Sequence, residues 1–213
     1  KRVMVLSAFA FSGCGFTGTL TLPAGLVEIQ EYAFCNTKFK VELNIPSTVT
    51  TIGNFAFQNT LFNGTLVLPS ELISLGTGVF WGCWRLSGVV EIPSNIVAIP
   101  SNLFSDCTWL EGVVLHKDVE VIEASAFNNC YGIHSIVCKA KNPPVIDASS
   151  FNGVAKDNFT VEVPEASVAQ YRNAANWSEF KRFAAHREFS ISRNLFRTLN
   201  ASHSKTFVLR ASA

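Results

Sequence analysis

Charged residues are scarce in this sequence and neither sign dominates. Seventeen Lys and Arg face sixteen Asp and Glu among 213 residues, a formal net charge of +1. That balance leaves no electrostatic footprint for nucleic acid or an anionic membrane. No apolar run approaches the roughly 18 residues that a membrane-crossing helix needs, so this segment offers no membrane insertion. The four His are scattered, without zinc-like spacing. There is no Walker phosphate loop, no dinucleotide fingerprint and no nucleophile elbow. The usual marks of an enzyme, a metal protein or a cofactor carrier are therefore missing, and the reading is non-enzymatic, with no catalytic site, metal or cofactor.

What the sequence has in excess is phenylalanine, 18 residues, and they are periodic. Phe11, Phe34, Phe57, Phe80, Phe104, Phe127 and Phe151 follow one another at intervals of 23 or 24. Five residues before these anchors stand Leu6, Ile29, Ile52, Leu75, Ile99, Ile122 and Ile146. Eleven before stand Pro23, Pro46, Pro69 and Pro93, then His116. So many columns in register identify a stack of like units, each unable to bury its apolar face alone.

Two further columns carry physics. Two residues past each anchor only Gly, Asn or Asp occurs: Gly13, Asn36, Asn59, Gly82, Asp106, Asn129 and Gly153. These types best tolerate a left-handed backbone, which predicts a short helical turn ending in that conformation. One residue later stand Cys14, Thr37, Thr60, Cys83, Cys107, Cys130 and Val154, small enough for a tight inward site. Each unit then reads as a strand with alternating apolar residues (Leu20 and Leu22, or Leu66 and Leu68), a stop at proline, a second apolar segment such as 49–52, and a turn bearing Ala-Phe. The expected fold is mostly β with short helical turns, a solenoid of about six to seven coils at about 4.8 Å per strand.

The pattern Leu-x-Leu-Pro, Val-x-x-Ile-Gly, Ala-Phe-x-x-Cys resembles the BspA-like leucine-rich-repeat family. Residues 48–60 (TVTTIGNFAFQNT) and 119–130 (VEVIEASAFNNC) match it closely, within a resemblance spanning about residues 1–164. Residues 163–183 (VPEASVAQYRNAANWSEFKRF) look like the closing segment that often follows such repeats. The resemblance implies an extracellular or cell-surface protein, adhesion to host or cell-surface proteins, and no shared binding residues.

The ends leave the repeat. Residues 165–183 are expected to cap the array, with Val168, Tyr171 and Ala175 on one face and Trp177 and Phe180 folding over the last coil. Residues 184–213 are expected to form a β-rich tail or to begin a further domain, since Phe189 and Ile191, then Phe207 and Leu209, alternate with polar residues. At the other end, residues 1–14 superficially resemble a lipoprotein signal. However, Leu6, Phe11, Gly13 and Cys14 all fall in repeat columns. The chain is thus expected to start inside a coil, lacking an N-terminal cap.

Candidate binding residues fall into two groups. Trp81, Trp84, Trp109 and Tyr131 surround the turn in three neighbouring repeats, as an exposed strip for a protein or sugar, or as packing over corner loops. Thr21, Asn44, Val67, Glu91, Val114 and Val137 form the outward strand column, a regular face that solenoids use for ligands, though β-propensity explains the valines equally well. Phe16, Phe39 and Phe62 read as a second core ladder. Cys83, Cys107, Cys130 and Cys138 read as buried thiols, and Cys35 as more accessible. A thiol–imidazole pair with His116 or His134 is the weaker reading of these groups. Asp118, Glu120 and Glu123 read as a solvated turn rather than a calcium site. Four Asn-x-Ser/Thr sequons, at Asn63, Asn158, Asn176 and Asn200, matter only in a secreting eukaryote. The leading function is a protein-binding repeat module. Glycan recognition by coplanar exposed rings, or a spacer role in a larger surface protein, are the alternatives.

Overall fold

The computed structural model describes residues 3–186. Phe189, Ile191, Phe207, Leu209 and the sequon at Asn200 lie outside them. The strands run β1 (Met4–Leu6), β2 (Leu26–Ile29), β3 (Glu42–Asn44), β4 (Thr51–Ile52), β5 (Asn63–Val67), β6 (Ser74–Leu75), β7 (Leu86–Glu91), β8 (Ala98–Ile99), β9 (Leu110–Leu115), β10 (Val121–Ile122), β11 (Ser135–Cys138), β12 (Val145–Ile146), β13 (Thr160–Pro164) and β14 (Arg182–His186).

All pairs are parallel. The odd-numbered strands from β3 to β13, closed by β14, form one seven-stranded sheet, and the short strands form two further sheets, of four and three strands. Each repeat thus contributes one rung to either side of a flattened coil, and the chain makes about eight turns, slightly more than the anchors alone suggest. Register follows the sequence columns: Leu6 pairs with Ile29, Ile29 with Ile52 and Ile52 with Leu75. Ile99 pairs with Ile122, and Ile122 with Ile146.

The anchor phenylalanines make the spine of the interior. Their rings stack at centroid spacings of 5.3, 5.4, 5.6, 5.5, 5.8 and 5.1 Å from Phe11 to Phe151, with planes within 17° of each other. That is the offset-stacked spacing aromatic rings prefer, repeated once per coil. All the anchors from Phe34 to Phe151 are buried, and Phe11 packs against them from the first coil.

The expected helical turn takes the form of consecutive tight turns. Alternate N–H groups point within the turn (Ala10 to Ser7 O, Ser12 to Phe9 O, Cys14 to Phe11 O) and to the next coil (Phe9 to Glu31 O, Phe11 to Ala33 O, Gly13 to Cys35 O). A helix would direct every donor along its own axis and leave the neighbouring coil unpaired. All seven residues of the predicted left-handed column do have positive φ. A second such column, two residues before each of the first six anchors, is unanticipated: Phe9, Tyr32, Phe55, Gly78, Asn102 and Ser125. Bulky residues rarely adopt φ > 0. Here Phe9, Tyr32 and Phe55 stack at 4.8 and 5.1 Å. Phe55 then lies over Gly78, where a Cβ would meet its ring at 2.5 Å.

Three local expectations need correction. The segment carrying Leu20 and Leu22 is not a strand, because the long sheet ends at β3 and the first coil makes no ladder bonds with it. Phe39 and Phe62 are core, but Phe16 is exposed, since no described coil covers its outer side. Cys35 is buried, at 4% exposure, under the following coil.

After β13 the chain forms a 3-10 turn, the helix α1 (Val168–Asn173) and a second 3-10 turn, Trp177–Glu179. Tyr171 and Trp177 are fully buried. The Tyr171 hydroxyl donates to Ala140 O at 2.8 Å and the Trp177 indole to Pro144 O at 2.8 Å. Phe180 meets Phe151 edge-on at 5.3 Å. Because the helix stops at Asn173, Ala175 is exposed rather than aligned with Tyr171.

Candidate functional site

The outer face of the seven-stranded sheet brings most of the predicted column together. Asn44 lies beside Val67, and Glu91, Val114, Val137 and Glu162 are successive partners. Thr21, although exposed, sits outside the sheet because its segment forms no strand. The pleat puts every second side chain outward: Leu66 and Val90 are buried, while Val67 is 72% and Val89 48% exposed. Between them lies an open groove of about 450 Å3, lined by Val67, Val89, Glu91, Pro93 and His116 among others. Val89 is absent from the predicted column. Its signal was the alternation of β7, obscured by the irregularity at Gly88 and Val89.

Charges on this face pair weakly. Lys139 reaches across β9 to Glu91 at 3.7 Å, which helps cover Val114, and His186 meets Glu162 at 3.7 Å. Such half-exposed pairs contribute about 0–1 kcal/mol. His116 is held by its own backbone surroundings: Nε2 lies 3.0 Å from Ile96 O and Nδ1 accepts the Asp118 N–H at 3.2 Å. A wider groove of about 830 Å3 beyond the strand ends mixes Lys117, Lys139 and Lys141 with Asp118, Glu120 and Glu165.

The predicted aromatic strip divides in two. Trp81 lies beside the second left-handed column. It packs beside Phe55 at 6.2 Å, and its indole donates to Asp106 Oδ2 at 2.8 Å. Trp84 and Trp109, 39% and 51% exposed, meet instead at the mouth of β7 and β9. Their centroids are 5.3 Å apart, but their planes stand at 89°. Arg85 lies 5.2 Å from the first ring and 5.7 Å from the second. Tyr131 is exposed, its hydroxyl donating to Asn129 Oδ1 at 3.2 Å. The stacked Phe9, Tyr32 and Phe55 are a surface feature the sequence reading missed, although their 23-residue spacing was present to find it.

The cysteines are committed to structure. Cys83, Cys107 and Cys130 donate to the carbonyls of Phe57, Phe80 and Phe104 at 3.0, 3.1 and 3.0 Å. Cys138 lies 3.2 Å from the Tyr171 hydroxyl. All six are free thiols. Burial pushes Cys83 up to about 11 and Cys130 up to about 12, and raises Cys107 well above the ordinary thiol range. Nucleophilic chemistry needs the thiolate, so these thiols are poor partners for His116 or His134.

A family model described as the BspA type leucine rich repeat region matches residues 4–134 in six copies. Among curated proteins, none matches. Two solved structures are similar to this chain. One is a leucine-rich repeat protein from Bacteroides ovatus, 22% identical with a TM-score of 0.45, over 86% of this chain and 58% of that one. The other is a leucine rich cell surface protein from Faecalibacterium prausnitzii, 18% identical with a TM-score of 0.38, over 95% of this chain and 61% of that one. The chain thus spans about three-fifths of each of those proteins.

Proposed function

Since the chain belongs to the BspA type leucine-rich-repeat family, we propose that it is a non-enzymatic, adhesion-type protein-binding module of an extracellular or cell-surface protein. Its partner is a host or cell-surface protein, which docks on the outer face of the seven-stranded sheet. Asn44, Val67, Val89, Glu91 and Val114 supply the contacts. Residues 165–183 close the end of the array.

One observation carries this reading. A regular, rigid sheet face leaves Val67 and Val89 in the open on either side of a groove. Apolar side chains grouped on an otherwise well-packed surface mark an interaction site more often than chance exposure does. A shallow groove is the shape for a protein surface rather than for a small molecule, whose sites are deep and enclosed. The perpendicular rings of Trp84 and Trp109 do not make the flat platform that a sugar stacks on.

The test is a binding panel of purified extracellular-matrix and cell-surface proteins, read by surface plasmon resonance with the full chain immobilised. The reading expects at least one saturable partner, weakened tenfold or more by the Val67→Lys/Val89→Lys double variant at unchanged melting temperature. A partner bound equally well by the double variant would remove the sheet face from the account.

A further inference from the structure

Arg85 is the one residue of the corner whose chemistry is left incomplete. Its guanidinium makes no ion pair among the described residues, and its Nε is buried without a hydrogen-bond partner. The buried Nε is closed to an outside ligand, so what this half-buried side chain can offer a partner is its terminal N–H groups. The surroundings fix the group rather than satisfy it. Trp84 and Trp109 stand perpendicular, with the guanidinium carbon within 5.2 and 5.7 Å of their rings. Cation–π contact of this kind holds the planar fork in place without using its N–H groups. Asp106, on the neighbouring turn, is already committed to the Trp81 indole and to the Asn129 amide.

We infer that the Trp84–Arg85–Trp109 corner is a docking site for a carboxylate side chain of an acidic peptide segment in the partner protein. The guanidinium fork offers parallel N–H groups that match a carboxylate, and the two half-exposed indoles wall the site with apolar surface. Trp, Tyr and Arg in close company are the side chains that dominate protein-binding energetics, and exposed Tyr131 follows on the next coil. The corner immediately precedes β7 and β9, at the rim of the sheet, and this inference rests on that sheet being a protein-binding face. Charge complementarity selects an acidic segment, and the crossed ring planes disfavour an acidic sugar, which would need a flat ring face to lie on.

The experiment titrates the full chain with an N-acetylated decapeptide of alternating Glu and Leu, following tryptophan emission. The Gln-Leu counterpart and an oligogalacturonate of equal charge are the comparison probes. The expected result is saturable binding of the Glu-Leu peptide alone, weakened at least tenfold in Arg85→Gln and on raising the salt. Trp109→Ala, at a more exposed position, should weaken it similarly, and melting curves of both variants show whether the fold is intact. Equal affinity in Arg85→Gln, or saturation by the oligogalacturonate only, overturns the inference. If the peptide fails to bind while Val67→Lys/Val89→Lys still abolishes partner binding, the corner falls and the sheet reading stands. If the peptide binds as expected but the double variant leaves partner binding unchanged, the sheet reading is the one that falls.

Discussion

In the early coils a core phenylalanine stands five positions after the anchor: Phe39 follows Phe34 and Phe62 follows Phe57. From the fourth coil an aliphatic core residue stands six positions after the anchor instead: Leu86 follows Phe80, Leu110 follows Phe104 and Ile133 follows Phe127. The early coils fill the space with a second ring set edge-on against the anchor, at 72° and 78°. Three positions past the anchor, where the early coils carry buried Thr37 and Thr60, the later coils carry a thiol bonded to the preceding anchor's carbonyl, and a smaller aliphatic residue follows it. One more residue must then be accommodated outside the core. Trp84-Arg85, Thr108-Trp109 and Tyr131-Gly132 occupy that excursion, and it is where the later coils bring Trp84, Trp109 and Tyr131 to the surface. The strands that follow also lengthen, from three residues in β3 to six in β7 and β9. Both solutions leave the interior buried, and the added residue changes what the later coils present at the surface.

The anchor column is common to both halves and gives the largest test of that contrast. Phe57→Ala and Phe104→Ala should each cost about 3–5 kcal/mol, measured by denaturant unfolding. A cost below about 1 kcal/mol at either position would separate the halves into unequal cores. Next comes the left-handed column. Gly82 has φ +72°, and a Cβ there would meet Asn59 Oδ1 at 2.1 Å. Gly82→Val should cost about 1–3 kcal/mol, and a neutral result would remove the conformational requirement.

The smallest effect is on pH dependence and is read at two thiols of the later coils. Folding raises Cys83 to about 11 and Cys130 to about 12 from an ordinary 9.0. The unfolded chain therefore releases these protons first as pH rises. The stability they contribute is complete below pH 9.0 and is lost as the pH climbs toward the folded values. The fall in unfolding free energy between pH 9 and 11 should be shallower in Cys83→Ala than in the parent chain. An unchanged slope would show that the thiol is not buried.

Much of the fold was legible because periodic columns report directly on stacking. Residue types two past the anchor had to suit positive φ, and all seven do adopt it. The column two before the anchor escaped because its residues, from Phe55 to Gly78 to Ser125, share a conformation but no chemistry. In the same way Phe16 has the sequence of a core residue, but its burial depends on a neighbour that sequence does not display. For the candidate site, sequence identified the outward column but not the crossing of Trp84 and Trp109 around Arg85. That geometry depends on where two loops from different coils place their side chains.

The claim beneath all of this is that equivalent rings of consecutive coils touch in a single shared interior. A double-mutant cycle tests it directly, with Phe57→Leu and Phe80→Leu compared against Phe34→Leu and Phe127→Leu. Stacked neighbours should couple by about 0.5–1.5 kcal/mol, and the distant pair should be additive within about 0.5 kcal/mol. Additivity of Phe57 and Phe80 would contradict the stack.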